Sequence, residues 1–270
     1  MAYYLTDYPL DQFKEMVKET PTVILPVGII EQHGHHLPLG VDVFNCTEPL
    51  KKGEKRINAF IAPGFHYCFS GGTLPGTMNV NPQLVGLMIS DICSEFVRNG
   101  FKNIILYLGH GGTENMQSIA MSCQMLLRRN ENMKDISILL LSTGNLSPSC
   151  KKCIGDGPEH DFHAGMSETS RMMYWRPDLV RMDRLKMDEE YVSRMMRTDQ
   201  DWYEHKEKSF DHPAVIERVT QREEIKVGVM GFPEKASKEL GEKICNEIVE
   251  NLSKLVDDLN ARSKQTAQGR

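Results

Sequence analysis

The sequence predicts an α/β protein with a mainly parallel central sheet, and three observations support this prediction. Short apolar runs rich in β-branched residues, typical of strands buried on both faces, lie at 22–27, 103–108 and 136–141. Amphipathic helical patterns lie between and beyond these runs. Neither a repeat nor a linker-like change in composition divides the chain, so we expect residues 1–270 to form a single domain.

The helices are predicted from capping residues and from the spacing of apolar side chains. A short amphipathic helix is expected at 11–19, and a longer one at 82–99 behind the N-cap residue Asn81. A third helix covers 114–129, and a last one begins after Pro233 with a stripe of leucines and isoleucines. Strands that alternate with helices indicate parallel βαβ units.

Residues 185–215 differ from the rest of the chain because they carry many charges and show no clear period. Trp202 and Tyr203 stand out among them as large aromatic side chains. We expect an irregular or partly helical excursion here that covers the functional site or contacts another subunit.

Composition and charge restrict the classes of function. A net charge of −5 and a pI near 6.0 argue against nucleic acid as the main partner, because there is no basic excess to meet phosphates. No apolar run approaches the roughly 20 residues of a membrane span, and the N-terminal residues do not resemble a signal peptide. The seven scattered cysteines fit free thiols in a reducing compartment. We therefore expect a cytoplasmic protein that acts on a small molecule.

Titratable residues are concentrated in three short segments, two of which directly follow a predicted strand. EQHGHHLPLGVD runs from Glu31 to Asp42, and LGHGG contains His110. The third segment, EHDFHAGMSETS, covers 159–170, and the three together hold six of the nine histidines. Ligands of parallel α/β sheets bind beyond the carboxyl ends of the strands, so these side chains are expected to meet at one sheet edge.

The residue types in these segments are those of a divalent metal site. Glu31 and His33 are two residues apart and would point to the same face of an extended segment, and Asp42 returns after a bend. His110 and Glu168 add an imidazole and a carboxylate, a donor set that suits Zn²⁺, Mn²⁺ or Fe²⁺. Five ligands exceed what one open catalytic zinc needs, so we predict two ions with Asp42 as the bridging ligand.

Five runs of the sequence resemble, in the same order, the hallmark motifs of the creatininase family. They are GIIEQHGHHLPLGVD at 28–42, LPGTMNVNP at 74–82, LGHGGTEN at 108–115, DFHAGMSETS at 161–170 and GVMGFPEKASKELGEK at 228–243. The resemblance implies a three-layer α/β/α fold, a dinuclear metal centre and hydrolysis of a C–N bond in a cyclic or formyl amide. It also implies a homo-oligomer, often a hexamer.

Carried over residue by residue, the resemblance places one ion on Glu31, Asp42 and His110, and the other on His33, Asp42 and Glu168. The sequence departs from the family at one ligand position, two residues after the histidine of the LGHGG run, where Gly112 replaces a glutamate. Glu168 must then complete the site, with Glu114 as a substitute. The substrate is therefore not predicted to be creatinine.

The predicted reaction is attack of metal-bound hydroxide on the carbonyl carbon of a small amide, because a metal can lower the pKa of bound water to about 7. His163 and Glu168 are the predicted catalytic residues, with His163 protonating the leaving atom. An alternative role for His163 is to orient a metal ligand. Two other functions stay open: ring-opening C–C hydrolysis of a cyclic keto-inositol such as 3-dehydro-scyllo-inosose, and metal binding without catalysis.

Overall fold

The computed structural model describes residues 1–268 of the chain, and the side chains of residues 1–265. Within that range one sheet consists of five parallel strands, numbered in chain order β1 to β5: Tyr3–Tyr4, Thr22–Val27, Phe60–Ile61, Asn103–Leu108 and Ser137–Ser142. Their spatial order is β1-β3-β2-β4-β5. The sequence predicted β2 and β4 with these bounds and placed the third of its strands one residue early.

The helices in chain order, α1 to α9, are Leu10–Glu19, Val41–Lys52, Pro82–Arg98, Thr113–Arg129, Thr143–Leu146, Pro148–Ile154, Met166–Trp175, Glu190–Thr198 and Lys238–Gln268. Short 3-10 turns lie at Leu5–Asp7, Glu131–Met133, Pro177–Leu179, Met182–Arg184 and Pro233–Lys235. The sequence predicted α1, α3, α4 and α9, but not α2 and α7.

Helices cover both faces of the sheet and so form three α/β/α layers, as expected. Val23 and Leu25 of β2 face one layer, in which α1, α3 and α4 contribute the buried apolar side chains. Ile24 of β2 and Tyr107 of β4 face the other layer, which contains α2 and α9. This alternation follows from the two-residue period of a strand and explains why both strands are apolar throughout.

The direction in which successive strands are added to the sheet reverses between β2 and β4. From β2 it crosses through α2 on one face to β3, whereas from β4 it crosses through α4 on the opposite face to β5. Such a switch point leaves a crevice at the carboxyl ends of the two strands, where doubly wound folds bind ligands.

The excursion at 185–215 is partly helical, as expected. It contains α8 and the first strand of a two-stranded antiparallel hairpin, formed by β6 (Glu204–Glu207) and β7 (Arg218–Gln221). Asp188 anchors the start of α8 because its carboxylate accepts hydrogen bonds from the backbone N–H groups of Lys226, Val227 and Gly228, at 2.6, 2.9 and 2.7 Å.

Two further expectations concern membranes and thiols. Among the helices within residues 1–268, none is both long enough and apolar enough to cross a bilayer. All seven cysteines are free thiols.

Candidate metal centre

The carboxyl ends of β2 and β4 lie side by side and support the first turn of α2. Val27 and Leu108 are paired in the sheet, so Gly28 and Gly109 follow at the same level. A Cβ atom at Gly28 would lie 2.9 Å from the Asp42 carbonyl oxygen, and one at Gly109 would overlap the same oxygen. Because both residues are glycines and have no side chain, the start of α2 can pack directly on both strand ends, with Asp42 between them.

One group of donors consists of Glu31, Asp42 and His110, whose ligand atoms all lie within 4.8 Å of one another. His110 Nδ1 is 3.0 Å from Glu31 Oε2 and 3.4 Å from Asp42 Oδ2. Ser70 fixes the other oxygen of Glu31, because its hydroxyl donates to Oε1 at 2.6 Å.

A second group consists of His33, Asp42 and Glu168, again within 4.8 Å. His33 Nε2 is 3.5 Å from Asp42 Oδ1 and 3.3 Å from Glu168 Oε2. His33 Nδ1 donates to the carbonyl of Glu31 at 3.1 Å, which leaves Nε2 free as an electron-pair donor. Asp42 thus presents one oxygen to each group.

Several facing atoms lack the hydrogen bonds that buried polar atoms normally have. Glu31 Oε2, His33 Nε2 and Asp42 Oδ2 are buried and make no hydrogen bond of acceptable geometry, although carboxylates and imidazoles lie close by. The nitrogen–oxygen distances of 3.0–3.5 Å place the two imidazoles directly beside these carboxylates. Buried donors that converge without bonding one another are suited to share a cation.

The charges of this cluster are strongly coupled. Burial raises the pKa of Glu31, but His110 and His163 outweigh it and hold that pKa well below its usual value. Burial lowers the pKa of His110, but Glu31 and Asp42 outweigh it and raise that pKa to about 10. The pKa of His33 is raised well above its usual value in the same way, by Asp42 and Glu168 against the effect of burial. A cation that binds here must displace these protons.

His163 lies beside both groups, on the segment just before α7. Its ring packs against that of His33, with 4.1 Å between centroids and the two planes tilted by 39°, and its Nδ1 is 4.0 Å from Glu31 Oε1. Its Nε2 donates to the carbonyl of Gln32 at 2.8 Å. Burial, followed by the charge of His33, lowers the pKa of His163. Glu31, His33 and His163 form a third possible donor group.

The structure brings Glu31, His33, Asp42, His110 and Glu168 together, as the sequence predicted. Residues 28–40 belong to no strand or helix, and Asp42 and Glu168 lie in the first turns of α2 and α7. Glu114 takes part in no donor group within residues 1–268. It contacts Glu204 of the hairpin instead, and its pKa is raised mainly by burial and then by that carboxyl group.

Asn45 is a buried site residue that the sequence reasoning missed. Its Nδ2 donates to Glu168 Oε1 at 3.0 Å and to the carbonyl of Gly109 at 3.2 Å. It thereby links α2, α7 and the loop that carries His110. Its position three residues after Asp42, one turn along a helix, could have identified it had α2 been recognised.

A cavity of about 310 Å³ opens above the donor groups. Its walls are mainly apolar, with polar groups from Gln32, Thr77 and Arg171. Asp201 and Tyr203 also line it, so the segment 185–215 covers the site, as expected. Tyr203 rests on the loop that carries Ser70, with its hydroxyl 3.5 Å from the Ser70 carbonyl oxygen.

A family model described as creatinine amidohydrolase matches residues 7–256. The chain belongs to the creatininase family. The resemblance of the five sequence motifs is therefore confirmed, and the protein is a member of an amidohydrolase family of enzymes.

Two curated relatives illustrate the range of this family. Creatinine amidohydrolase of Pseudomonas putida is 32% identical over 177 residues, which are 60% of this chain and 67% of the relative. A mycofactocin precursor peptide peptidase of Mycolicibacterium smegmatis is 29% identical over 184 residues, 64% of this chain and 65% of the relative. The matched parts thus span about two thirds of each relative.

A solved structure extends the likeness over the whole fold. A mutant creatininase described as Zn-Zn type is 25% identical in sequence and superimposes with a TM-score of 0.71. The superposition includes 96% of this chain and 98% of the creatininase chain. The α/β/α arrangement described above is therefore that of creatininase.

Proposed function

We propose that this creatininase-family hydrolase binds two divalent cations and cleaves an amide C–N bond in a small molecule. Glu31, Asp42 and His110 would hold one cation, and His33, Asp42 and Glu168 the other. The observation that carries the proposal is the pair of buried donor groups that share Asp42, one carboxylate oxygen each. Zn²⁺, Mn²⁺ and Fe²⁺ all accept this mixture of imidazole and carboxylate donors.

When bound, the cations supply Lewis acidity, which activates water and polarises a carbonyl oxygen. The role of the chain is to fix their ligands. Ser70 holds Glu31, and Asn45 together with the backbone N–H of Ala164 holds Glu168, the latter at 2.8 Å from Oε2. Such support keeps ligand atoms oriented, and its loss commonly weakens metal binding about 10- to 100-fold.

His163 is proposed to move the proton to the leaving nitrogen. Because its Nε2 donates to a carbonyl oxygen, its Nδ1 carries the lone pair and faces the Glu31 side of the site. Burial lowers the pKa of His163 and keeps the free ring neutral, so that Nδ1 can accept a proton and pass it on.

The cavity favours a small substrate. Its volume of about 310 Å³ lies at the lower end of the range for small-molecule sites, and its apolar walls would exclude water from a bound amide. The homo-oligomeric assembly and the cytoplasmic location stay predictions, and light scattering of the purified protein checks the first.

The test is elemental analysis of the purified protein, followed by reloading with Zn²⁺, Mn²⁺ or Fe²⁺ and a hydrolysis screen. The panel should contain cyclic amides, formamides, short peptides and oxidised inositols. We expect about two metal equivalents and turnover of an amide. Turnover of an oxidised inositol alone would favour C–C hydrolysis, and full metal binding without any exchangeable water would favour the non-catalytic alternative.

A further inference from the structure

The cavity extends past Glu168 to a buried arginine that the proposed reaction does not use. Arg171 lies one turn after Glu168 on α7, is only 4% exposed, and lines the cavity together with Ser142 and Thr143 at the carboxyl end of β5. A charged group so deeply buried normally has a full counter-ion, because its desolvation is otherwise costly.

The partners of Arg171 fall short of that requirement. Its Nε donates to the Ser167 carbonyl at 3.3 Å and its Nη1 to the Thr143 hydroxyl at 3.0 Å. The nearest carboxylate oxygen, Glu168 Oε1, lies 3.5 Å from Nη2, beyond a normal hydrogen bond. Within the described side chains, Glu168 is the sole carboxylate in ion-pair range of Arg171.

Glu168 is also committed elsewhere. Its Oε1 accepts from Asn45 and its Oε2 from Ala164, while Oε2 faces His33 across the proposed cation position. A carboxylate that ligates a divalent cation shares its charge with that cation. The guanidinium group, which has five N–H donors and uses two of them in these hydrogen bonds, keeps both charge and donors for another partner.

The group is also held rigidly, which favours recognition of a planar anion. The Trp175 ring lies 5.9 Å from the guanidinium carbon, and Thr143 fixes one edge. A preoriented guanidinium fork binds carboxylates in two parallel hydrogen bonds and loses little entropy in doing so.

We propose that Arg171, assisted by the Thr143 hydroxyl, forms an anion subsite that binds a carboxylate carried by the substrate beside its scissile amide. This inference rests on the proposed function, because it places the amide over the donor groups and the carboxylate on the far side of Glu168. The substrate class is then an amide of a small carboxylic acid.

The experiment compares two amides of equal size, malonamate and malonamide, which differ in one carboxylate. Calorimetric titration of the metal-loaded protein should show tighter binding of malonamate. Arg171→Met should reduce that preference about ten- to hundredfold, the usual strength of a charge-assisted hydrogen bond, while two metal equivalents remain bound. Arg171→Lys keeps the charge without the fork and should keep only part of the preference.

A matched control is Arg197→Met, since Arg197 is equally buried but paired with Glu159 and Glu190 at 2.5 and 2.9 Å. It should leave the preference unchanged. If Arg171→Met does not fold, Thr143→Val, which removes only the hydroxyl, tests the same subsite and should weaken malonamate selectively. An equal preference in wild type and variants overturns the subsite. Loss of metal from the folded Arg171→Met protein overturns it too, because Arg171 would then only support Glu168.

Failure of the anion subsite can be distinguished from failure of the proposed metal-dependent function. Elemental analysis reports on the cations independently of the two titrations. If the purified protein binds no divalent cation, the proposed function fails, but the preference for malonamate and its dependence on Arg171 can still be measured on the same protein.

Discussion

Asp42 is the ligand that the two proposed cation positions have in common. Its Oδ1 faces His33 and its Oδ2 faces His110, so the two donor groups meet in one carboxylate. The residue is 1% exposed and lies in the first turn of α2. A side chain in that position can bridge two cations, and its removal takes one ligand from each.

Asp42→Ala should therefore empty both cation positions. The expected result is almost no bound metal by elemental analysis after dialysis, compared with about two equivalents for the wild type, because each cation loses a ligand. Asp91→Ala, an exposed carboxylate of α3, is the control and should keep both ions. One ion retained at full occupancy in Asp42→Ala would exclude the bridge.

His163 can be separated from the ligands by its kinetics. If His163 acts as a general acid–base, His163→Ala should lower turnover about 10²- to 10⁴-fold and leave the metal content unchanged. Exposed His205 on the hairpin provides the control, and His205→Ala should have normal turnover. Metal loss from His163→Ala would instead assign it to the third donor group, with Glu31 and His33.

At the scale of elements, the glycines after β2 and β4 decide where α2 starts. Gly109→Ala would place a Cβ atom against the Asp42 carbonyl oxygen. This oxygen belongs to the backbone of α2, which cannot move aside as easily as the end of a flexible side chain. The start of α2 must shift, and Asp42 with it. We expect metal affinity to fall about tenfold or more and the melting temperature to decrease, measured by metal titration and by calorimetry.

The same loop offers a matched control. A Cβ atom at Gly111 would meet nothing within 4 Å, so Gly111→Ala should have nearly wild-type affinity and stability. Equal metal affinity in the two variants would show that the contact between Gly109 and α2 does not position Asp42.

The elements that the sequence predicted are those with a regular apolar pattern. β2 and β4 are buried on both faces and were predicted with their observed bounds. The helices that hold Asp42 and Glu168 were not predicted. In α7 the buried positions include Ser167, which lines the cavity, and Thr169 and Ser170, whose hydroxyls pair with His36 and with the backbone N–H of Ser237. Because polar residues occupy these buried positions, an amphipathic pattern is missing.

The candidate site was more predictable than the helices that carry it. Glu31 and His110 follow buried strands, and the position of parallel strand ends alone brings them to one edge. The contributions of Asn45 and Arg171 were not predicted, because the helices α2 and α7 that carry them were not recognised. Their hydrogen bonds to Glu168 and Thr143 join α2 to α7 and α7 to α5, and contacts between helices cannot be read from sequence spacing.

At the scale of the whole molecule, the site joins segments that are distant along the chain. Four segments supply the ligands of the two donor groups: the loops after β2 and β4, and the first turns of α2 and α7. Each group brings an imidazole and two carboxylates together in a buried place, and the raised pKa of His110, about 10, shows how strongly the carboxylates attract positive charge. Bound cations supply that charge, and because the unfolded chain does not present this site, their binding should stabilise the fold.

Removal of the cations should thus destabilise the entire protein. At a free metal concentration about 1,000 times the Kd, binding contributes about 4 kcal/mol, which for a chain of this size corresponds to a melting temperature higher by on the order of 10 °C. Calorimetry with and without a chelator measures this difference, and reloading with Zn²⁺ should restore the original value. Asp42→Ala, which lacks the shared ligand, should melt at the same temperature with and without chelator, whereas Asp91→Ala should respond as the wild type does. A chelator-induced decrease of equal size in Asp42→Ala would place the stabilising cation somewhere other than these two donor groups.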